Sequence, residues 1–232
     1  METDVVDAVY MPREPPSQQL RDFYFPATTG LTFGLTRWRD GAVRFVGVPL
    51  LSLGAPIAKP EGWDYPITGG VLSRGAAGRV EIRWAEGICA VAVVGYRPWL
   101  PSDVYRATQA PFHRFVTRLA LLQFRGRVPS AGVPATPAAR AGAVAVDLLF
   151  CLALARRPRR LLPVLALYHL AAWSVGGRTF GGRLFRQRVV AVDGSPPTIG
   201  QALVRLCALP ITATRLRAVH DEAASTDVVA DR

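Results

Sequence analysis

The sequence predicts an α+β protein in two parts, and three observations carry that reading. Residues 22–96 alternate like strands with tight-turn signals, residues 112–126 switch to helical spacing, and residues 141–177 hold two nearly uncharged apolar runs around an arginine cluster. The expected architecture is an N-terminal antiparallel β-sheet with a long closing helix, followed by a C-terminal membrane-associated helical hairpin and a short helix.

Residues 1–21 are acidic and then proline-rich with no apolar core of a signal peptide, so they are expected to be a disordered, cytoplasmic N-terminus. The β-rich domain is expected over residues 22–127. LTFGLTRW (31–38) and AVRFVGV (42–48) flank Asp40 and Gly41, which suit the positive φ values of a hairpin turn. GRVEIRWA (78–85) and ICAVAVVGY (88–96) flank Glu86 and Gly87 in the same way. In the first of these Val80, Ile82 and Trp84 alternate with Arg79, Glu81 and Arg83, giving one buried and one wet face; the second is apolar on both faces and is expected to be central. Between the hairpins, four prolines in residues 48–75 predict only short or edge strands.

Phe112, Phe115, Val116, Leu119 and Leu122 then recur at helical spacing, with Arg114, Arg118 and Arg125 on another face. Ser102 or Asp103 is the expected N-cap, and Pro111 a kink or the start of a second half. His113 reads as a packing residue. VPSAGVPATPAA (128–139) has three prolines and no charge and is expected to be a stiff linker before a C-terminal region over 140–232.

The apolar runs are the informative part. Residues 141–155 carry one charge, Asp147; RRPRR (156–160) follows; residues 161–177 carry no charge. Fifteen and seventeen residues lie at or below the roughly 17–25 that span a bilayer, and Arg140, Arg156 and Arg178 could snorkel at the ends. The arginines of RRPRR oppose translocation, but those at 118, 125, 127, 140, 178, 183, 186 and 188 favour keeping both ends inside. Seven residues place Asp147 on the face of Arg140, about 10 Å along the axis. If the hairpin turns about Pro158, the residue opposite Asp147 is His169. The expectation is a hydrogen-bonded Asp147–His169 pair, acting either as a proton or cation site or as an interhelical fastener.

Composition bounds the partners. Half the residues are hydrophobic and the formal charge is +11, nearly all arginine, with Lys59 the single lysine. That balance suits phosphate-bearing partners, although a GC-rich genome yields the same bias. Arg178, Arg183, Arg186 and Arg188 beside an apolar run are expected to meet anionic lipid headgroups. TFGGRLFRQR, with Phe180 and Phe185, raises nucleic-acid binding, but no recognition helix or aromatic RNA-binding signature accompanies it, so no nucleic-acid partner is expected. The glycines from Gly177 to Gly182 have the spacing of a phosphate loop, yet Arg183 and Leu184 stand where that loop needs lysine and a hydroxyl. They are read instead as the exit of the second apolar helix, with RVVAVDG left as a short strand pairing with TDVVAD at the end of the chain. Cys89, Cys151 and Cys207 are odd in number and widely spaced, which argues against a disulfide framework or a zinc site.

A resemblance adds to these readings. Arg140 opens RAGAVAVD, Asp147 follows seven residues later, the second run leads into GGRTFGGRLFRQRVVAVDGSPPTIGQALVR, and the end reads RLRAVHDEAASTDVV. In that order of motifs, residues 139–231 resemble the RDD family of small bacterial membrane proteins, named for one arginine and two aspartates. The resemblance places the three on Arg140, Asp147 and Asp221, and implies membrane-spanning helices with a suggested role in transport. Arg205 and Pro210 interrupt the third apolar segment, and Ser225 stands where the family suggests glycine; both argue against independent transport activity. Asp221 is expected to cap a helix or pair with Arg178 or Arg183, and His220 beside it lacks a nucleophile motif.

The function expected is therefore that of a non-enzymatic accessory or transport-related protein at the inner (cytoplasmic) membrane. Its cytoplasmic N-terminal domain would bind a ligand, a protein partner or a second copy, with no metal and no cofactor. The alternatives are a soluble small-molecule or lipid-binding protein whose apolar hairpin is core, and an enzyme using the N-terminal WDYPITGG loop. In that loop Asp64 is the only acid near Trp63 and Tyr65.

Overall fold

The computed structural model describes residues 3–32, 34–215 and 218–231. It comprises two compact units, Met1–Arg125 and Gly126–Arg232.

The first unit runs β1 (Thr3–Tyr10), α1 (Ser17–Asp22), α2 (Tyr24–Leu31), β2 (Thr36–Arg39), β3 (Ala42–Phe45), β4 (Val48–Leu53), β5 (Ile57–Lys59), β6 (Gly62–Gly69), β7 (Arg79–Ala85), β8 (Ile88–Tyr96), α3 (Ser102–Ala107) and α4 (Gln109–Arg125). Its antiparallel sheet has the order β1-β8-β7-β6-β4-β3-β2, with β5 on β6. Both expected hairpin turns form: Asp40 and Gly41 (φ 53° and 70°), and Glu86 and Gly87 (φ 49° and 78°), adopt the left-handed pairs that match strand twist. Val80 and Ile82 are buried as the alternation requires.

Four expectations are corrected. The N-terminus is not disordered: β1 pairs along β8 from Thr3 opposite Tyr96 to Tyr10 opposite Ile88, burying Val5 and Val9. Its acids suggested a solvated tail, but Asp7 lies 3.4 Å from Arg118 on α4, and Asp4 accepts the Gly95 N–H. This pairing is also what makes β8 central. Residues 24–31 form a helix rather than the start of a strand, because three aromatics turn into the core: Phe25 stacks on Trp38 at 4.2 Å and Phe23 on Phe124 at 4.0 Å. Phe33, within the expected strand, lies outside the described residues. β6 is neither short nor an edge, since Pro66 falls at the end of its ladder with β7, and its carbonyl accepts the Gly54 N–H. The helix after the sheet divides at Thr108 into α3 and α4, and Pro111 stands in the first turn of the second half, as expected. Pro101, not Ser102 or Asp103, precedes the first turn. His113 lies 6.4 Å from Tyr105, and burial pushes its imidazole pKa down. α4 packs on β1 and α2, with Leu119 to Leu122 buried.

The second unit runs α5 (Pro137–Ala155), α6 (Pro158–Gly176), α7 (Phe180–Leu184), β9 (Gln187–Ala191), α8 (Ile199–Arg215), α9 (Val219–Ala223) and β10 (Thr226–Ala230). The stretch expected as a linker is built into this unit: the Val133 carbonyl accepts the Ala230 N–H, Ala135 N–H donates to Val228, and Pro134 bridges Val229. Extended pre-proline backbone is the shape a sheet edge accepts. Thr136 then caps α5 through the Ala139 N–H, with Pro137 in its first turn. β9 and β10 pair antiparallel, Val189 opposite Val228, as expected for RVVAVDG and TDVVAD. Thr198 and Gln201 form a reciprocal cap at the start of α8, and Gln201 also donates to the Ala224 carbonyl.

Candidate functional site

Asp221, at the start of α9, is 3% exposed and faces two arginines. Arg140, at the base of α5, donates to its Oδ2, and Arg205, in the middle of α8, donates to its Oδ1. Arg205 also donates to the Thr226 hydroxyl at 2.8 Å. The expected partner is corrected: the carboxylate pairs with Arg140 and Arg205, not with Arg178 or Arg183. Arg205 is thus no interruption of an apolar segment but its buried reason, since an arginine 4% exposed requires a counter-charge. The Leu216–Arg217 end of that segment lies outside the described residues.

Burial alone would raise the Asp221 carboxyl, but Arg205, His220 and Arg140 hold it below the usual carboxylate range. His220 Nε2 comes within 3.5 Å of Asp221 Oδ2, and burial together with Arg205 pushes the imidazole down to about 4, so it is neutral at pH 7.

The second polar cluster is centred on Asp147 in α5, also 3% exposed. Its Oδ1 accepts the Tyr168 hydroxyl and the Gly181 N–H, both at 2.7 Å. Tyr168 in turn accepts the Phe180 N–H at 2.6 Å. The expected opposition of Asp147 and His169 is present, but the hydrogen bond is not: His169 Nε2 stands 4.0 Å from Asp147 Oδ2, while Nδ1 faces the Leu165 carbonyl at 2.9 Å. The helix turns the neighbouring Tyr168 onto the carboxylate instead.

These bonds explain the glycine-rich stretch. Gly177 ends α6 in the left-handed conformation, φ 68°, with its N–H on the Trp173 carbonyl. A Cβ there would lie 2.1 Å from the Val189 carbonyl, and one on Gly181 would lie 2.1 Å from that of Ala143. The first N–H groups of α7 are all taken: Phe180 by Tyr168, Gly181 by Asp147, Gly182 by the Thr179 hydroxyl, Arg183 by the Thr179 carbonyl. Asp147 sits where a phosphate would, as the carboxylate partner of a helix start.

A series of contacts joins the two clusters. The Arg205 guanidinium lies 4.8 Å over the Trp173 ring, and Trp173 lies 4.9 Å from His169, which faces Asp147. Asp221, Arg205, Trp173, His169 and Asp147 thus form one contiguous series across α9, α8, α6 and α5. Residues 160–224 match the RDD family. The RDD match thus falls in the C-terminal part of the chain. The matched span contains Arg205 and Asp221, while Arg140 and Asp147 lie ahead of it; the first half of the chain is unmatched. No curated protein and no solved structure matches the chain.

Of the arginines expected at headgroups, Arg178 and Arg188 pair with Asp231 at 2.8 and 3.3 Å, while Arg183 and Arg186 are exposed. In the first unit Asp64 is held by Arg83, with Arg79 at 3.8 Å and Lys59 at 3.9 Å. Its carboxylate is committed to a basic cluster, which leaves the WDYPITGG loop without a free acid. Among the described residues, no group of three His, Cys, Asp or Glu side chains is placed to hold a metal ion. Tyr168, Trp173, Thr226 and Arg205 were missed as site residues; only Arg205, a charge inside an apolar helix, carried a signal of its own.

Proposed function

We propose that the RDD region embeds the α5–α6 hairpin in a bilayer and that the chain is a non-enzymatic accessory protein of the inner membrane, with its β-rich unit binding a ligand or partner in the cytoplasm. The RDD match at residues 160–224 supports a membrane-associated protein. The observation that carries the embedding is the inverted burial of the hairpin. α5 buries Ala143, Asp147, Cys151 and Ala155, one residue per turn, and exposes Val144, Leu149, Leu152 and Leu154. Leu162, Leu167 and Val175 on α6 are 77%, 69% and 88% exposed. In water so many aliphatic side chains on one hairpin cost far more than a soluble monomer tolerates; in lipid they need no cover. Nineteen residues give each helix a length of about 28 Å, close to the roughly 30 Å hydrocarbon thickness. α5 is long and apolar enough to cross a membrane by length and composition.

The accessory role is preferred to transport because the polar groups facing Asp147 and Asp221 are fixed donors in a packed knot. They favour the fastener among the two readings of Asp147. Membrane fractionation tests the proposal: the full chain should resist alkaline carbonate extraction and require detergent for release. Recovery in the soluble fraction without detergent would favour the core-hairpin alternative.

A further inference from the structure

The edge of the first unit's sheet carries a feature that the proposed anchor does not use. Arg37 on β2 stands directly opposite Arg44 on β3, so two like charges share one face of an exposed strand pair, and Arg39 is two residues along on the same face. Like charges directly opposite are destabilising without a counter-ion. Among the described residues, the acid paired with the three is Asp40, 3.4 Å from Arg39. Arg44 spends one nitrogen on the Gly47 carbonyl, while its Nε is shielded from solvent with no hydrogen-bond partner. At the β3–β4 turn Val46 adopts φ 48° and is 77% exposed. A β-branched residue is strained there, where Asn, Asp or Gly is at ease. The Val46 N–H reaches the carbonyl of Leu35, itself 54% exposed. Leu35, Val46 and the three arginines line one hollow of about 420 Å³.

We infer that this β2–β4 edge is a second membrane contact, in which Arg37, Arg39 and Arg44 bind the phosphates of anionic lipid headgroups while Leu35 and Val46 enter the interface. Cations around exposed aliphatics are the composition that binds an anionic leaflet. The proposed hairpin anchor would keep lipid near this unit at high effective concentration. A strained, exposed valine is retained more readily if the lipid contact it makes offsets its backbone cost.

The test uses the full chain in vesicles, with Cys207→Ser removing the exposed thiol and an environment-sensitive fluorophore on Leu35→Cys. Cys89 and Cys151 are buried. A headgroup-level spin-labelled lipid should quench the label at least twofold more in vesicles containing phosphatidylglycerol than in pure phosphatidylcholine, and 0.5 M salt, a roughly threefold to fourfold rise over physiological strength, should reduce the difference. Arg37→Gln with Arg44→Gln should halve the quenching without lowering the melting temperature. Val46→Asn should weaken the quenching and raise the melting temperature, opposite signs that a purely structural role would not give. A label at Asp103, far along the chain on α3, should not respond to lipid charge. Equal quenching in both vesicle types, indifference to the arginine substitutions, or protection of the label by RNA in place of lipid would overturn the inference. Protein that floats with vesicles yet shows no such quenching refutes this contact alone, whereas failure to float refutes the anchor as well.

Discussion

Replacing Asp221 with Asn removes the charge that two arginines share, and the structure separates their contributions. Arg205 has a side chain 5% exposed, and among the described residues its other contacts are the Thr226 hydroxyl and the Trp173 ring, neither of which carries a counter-charge. Stranding one member of a buried ion pair costs about 3–5 kcal/mol. The Arg140 side chain is 33% exposed, so the loss of its pair is screened and costs about 1 kcal/mol or less. Asp221→Asn should therefore remove about a fifth or more of a stability that is typically about 5–15 kcal/mol, whereas Arg140→Gln should be mild. Denaturant unfolding in detergent micelles, followed by tryptophan fluorescence, measures both. The paired replacement of Arg205 by Met and Asp221 by Leu should recover much of the loss, since no buried charge is then unpaired. Equal and small effects of Asp221→Asn and Arg140→Gln would show that Arg205 does not depend on this carboxylate.

Three further outcomes follow from the same contacts. Tyr168→Phe should cost about 1–3 kcal/mol, because it leaves the Phe180 N–H without a partner and takes one of the two donors from Asp147 Oδ1; His169→Leu should cost less by the same unfolding measurement, as His169 makes no hydrogen bond to Asp147. Gly181→Ala should destabilise more than Gly176→Ala, because a Cβ at 181 meets the Ala143 carbonyl at 2.1 Å and one at 176 meets nothing. Stability should fall as pH drops from about 6.5 toward 4: the unfolded chain takes up a proton on His220 near its ordinary value, while the folded imidazole, held at about 4, does not. The depressed Asp221 carboxyl adds a loss of the same sign at lower pH, and His220→Gln should flatten the upper part of this slope.

Much of the fold was legible wherever one local rule decided the outcome. Asp40-Gly41 and Glu86-Gly87 set their turns by backbone conformation alone, and the two apolar helices and the β9–β10 pair followed from period and spacing. The errors share a cause, which is that distant partners override local character. β1 looks like an acidic tail until Arg118 neutralises Asp7, and residues 24–31 look strand-like until Trp38 and Phe124 receive their rings. The site was half legible. Arg140, Asp147 and Asp221 were singled out, but spacing cannot tell whether Tyr168 or His169 turns toward Asp147, and Arg205 was read as a flaw because its counter-charge lies sixteen residues further on.

The embedding of the hairpin is the central claim, and spin-label accessibility in reconstituted vesicles tests it most directly. Single labels at Leu149, Leu154, Leu162 and Leu167 should be reached by oxygen dissolved in the lipid and not by a water-soluble nickel chelate. Reach by the chelate at these positions, at the level of an exposed site such as Asp103, would contradict it.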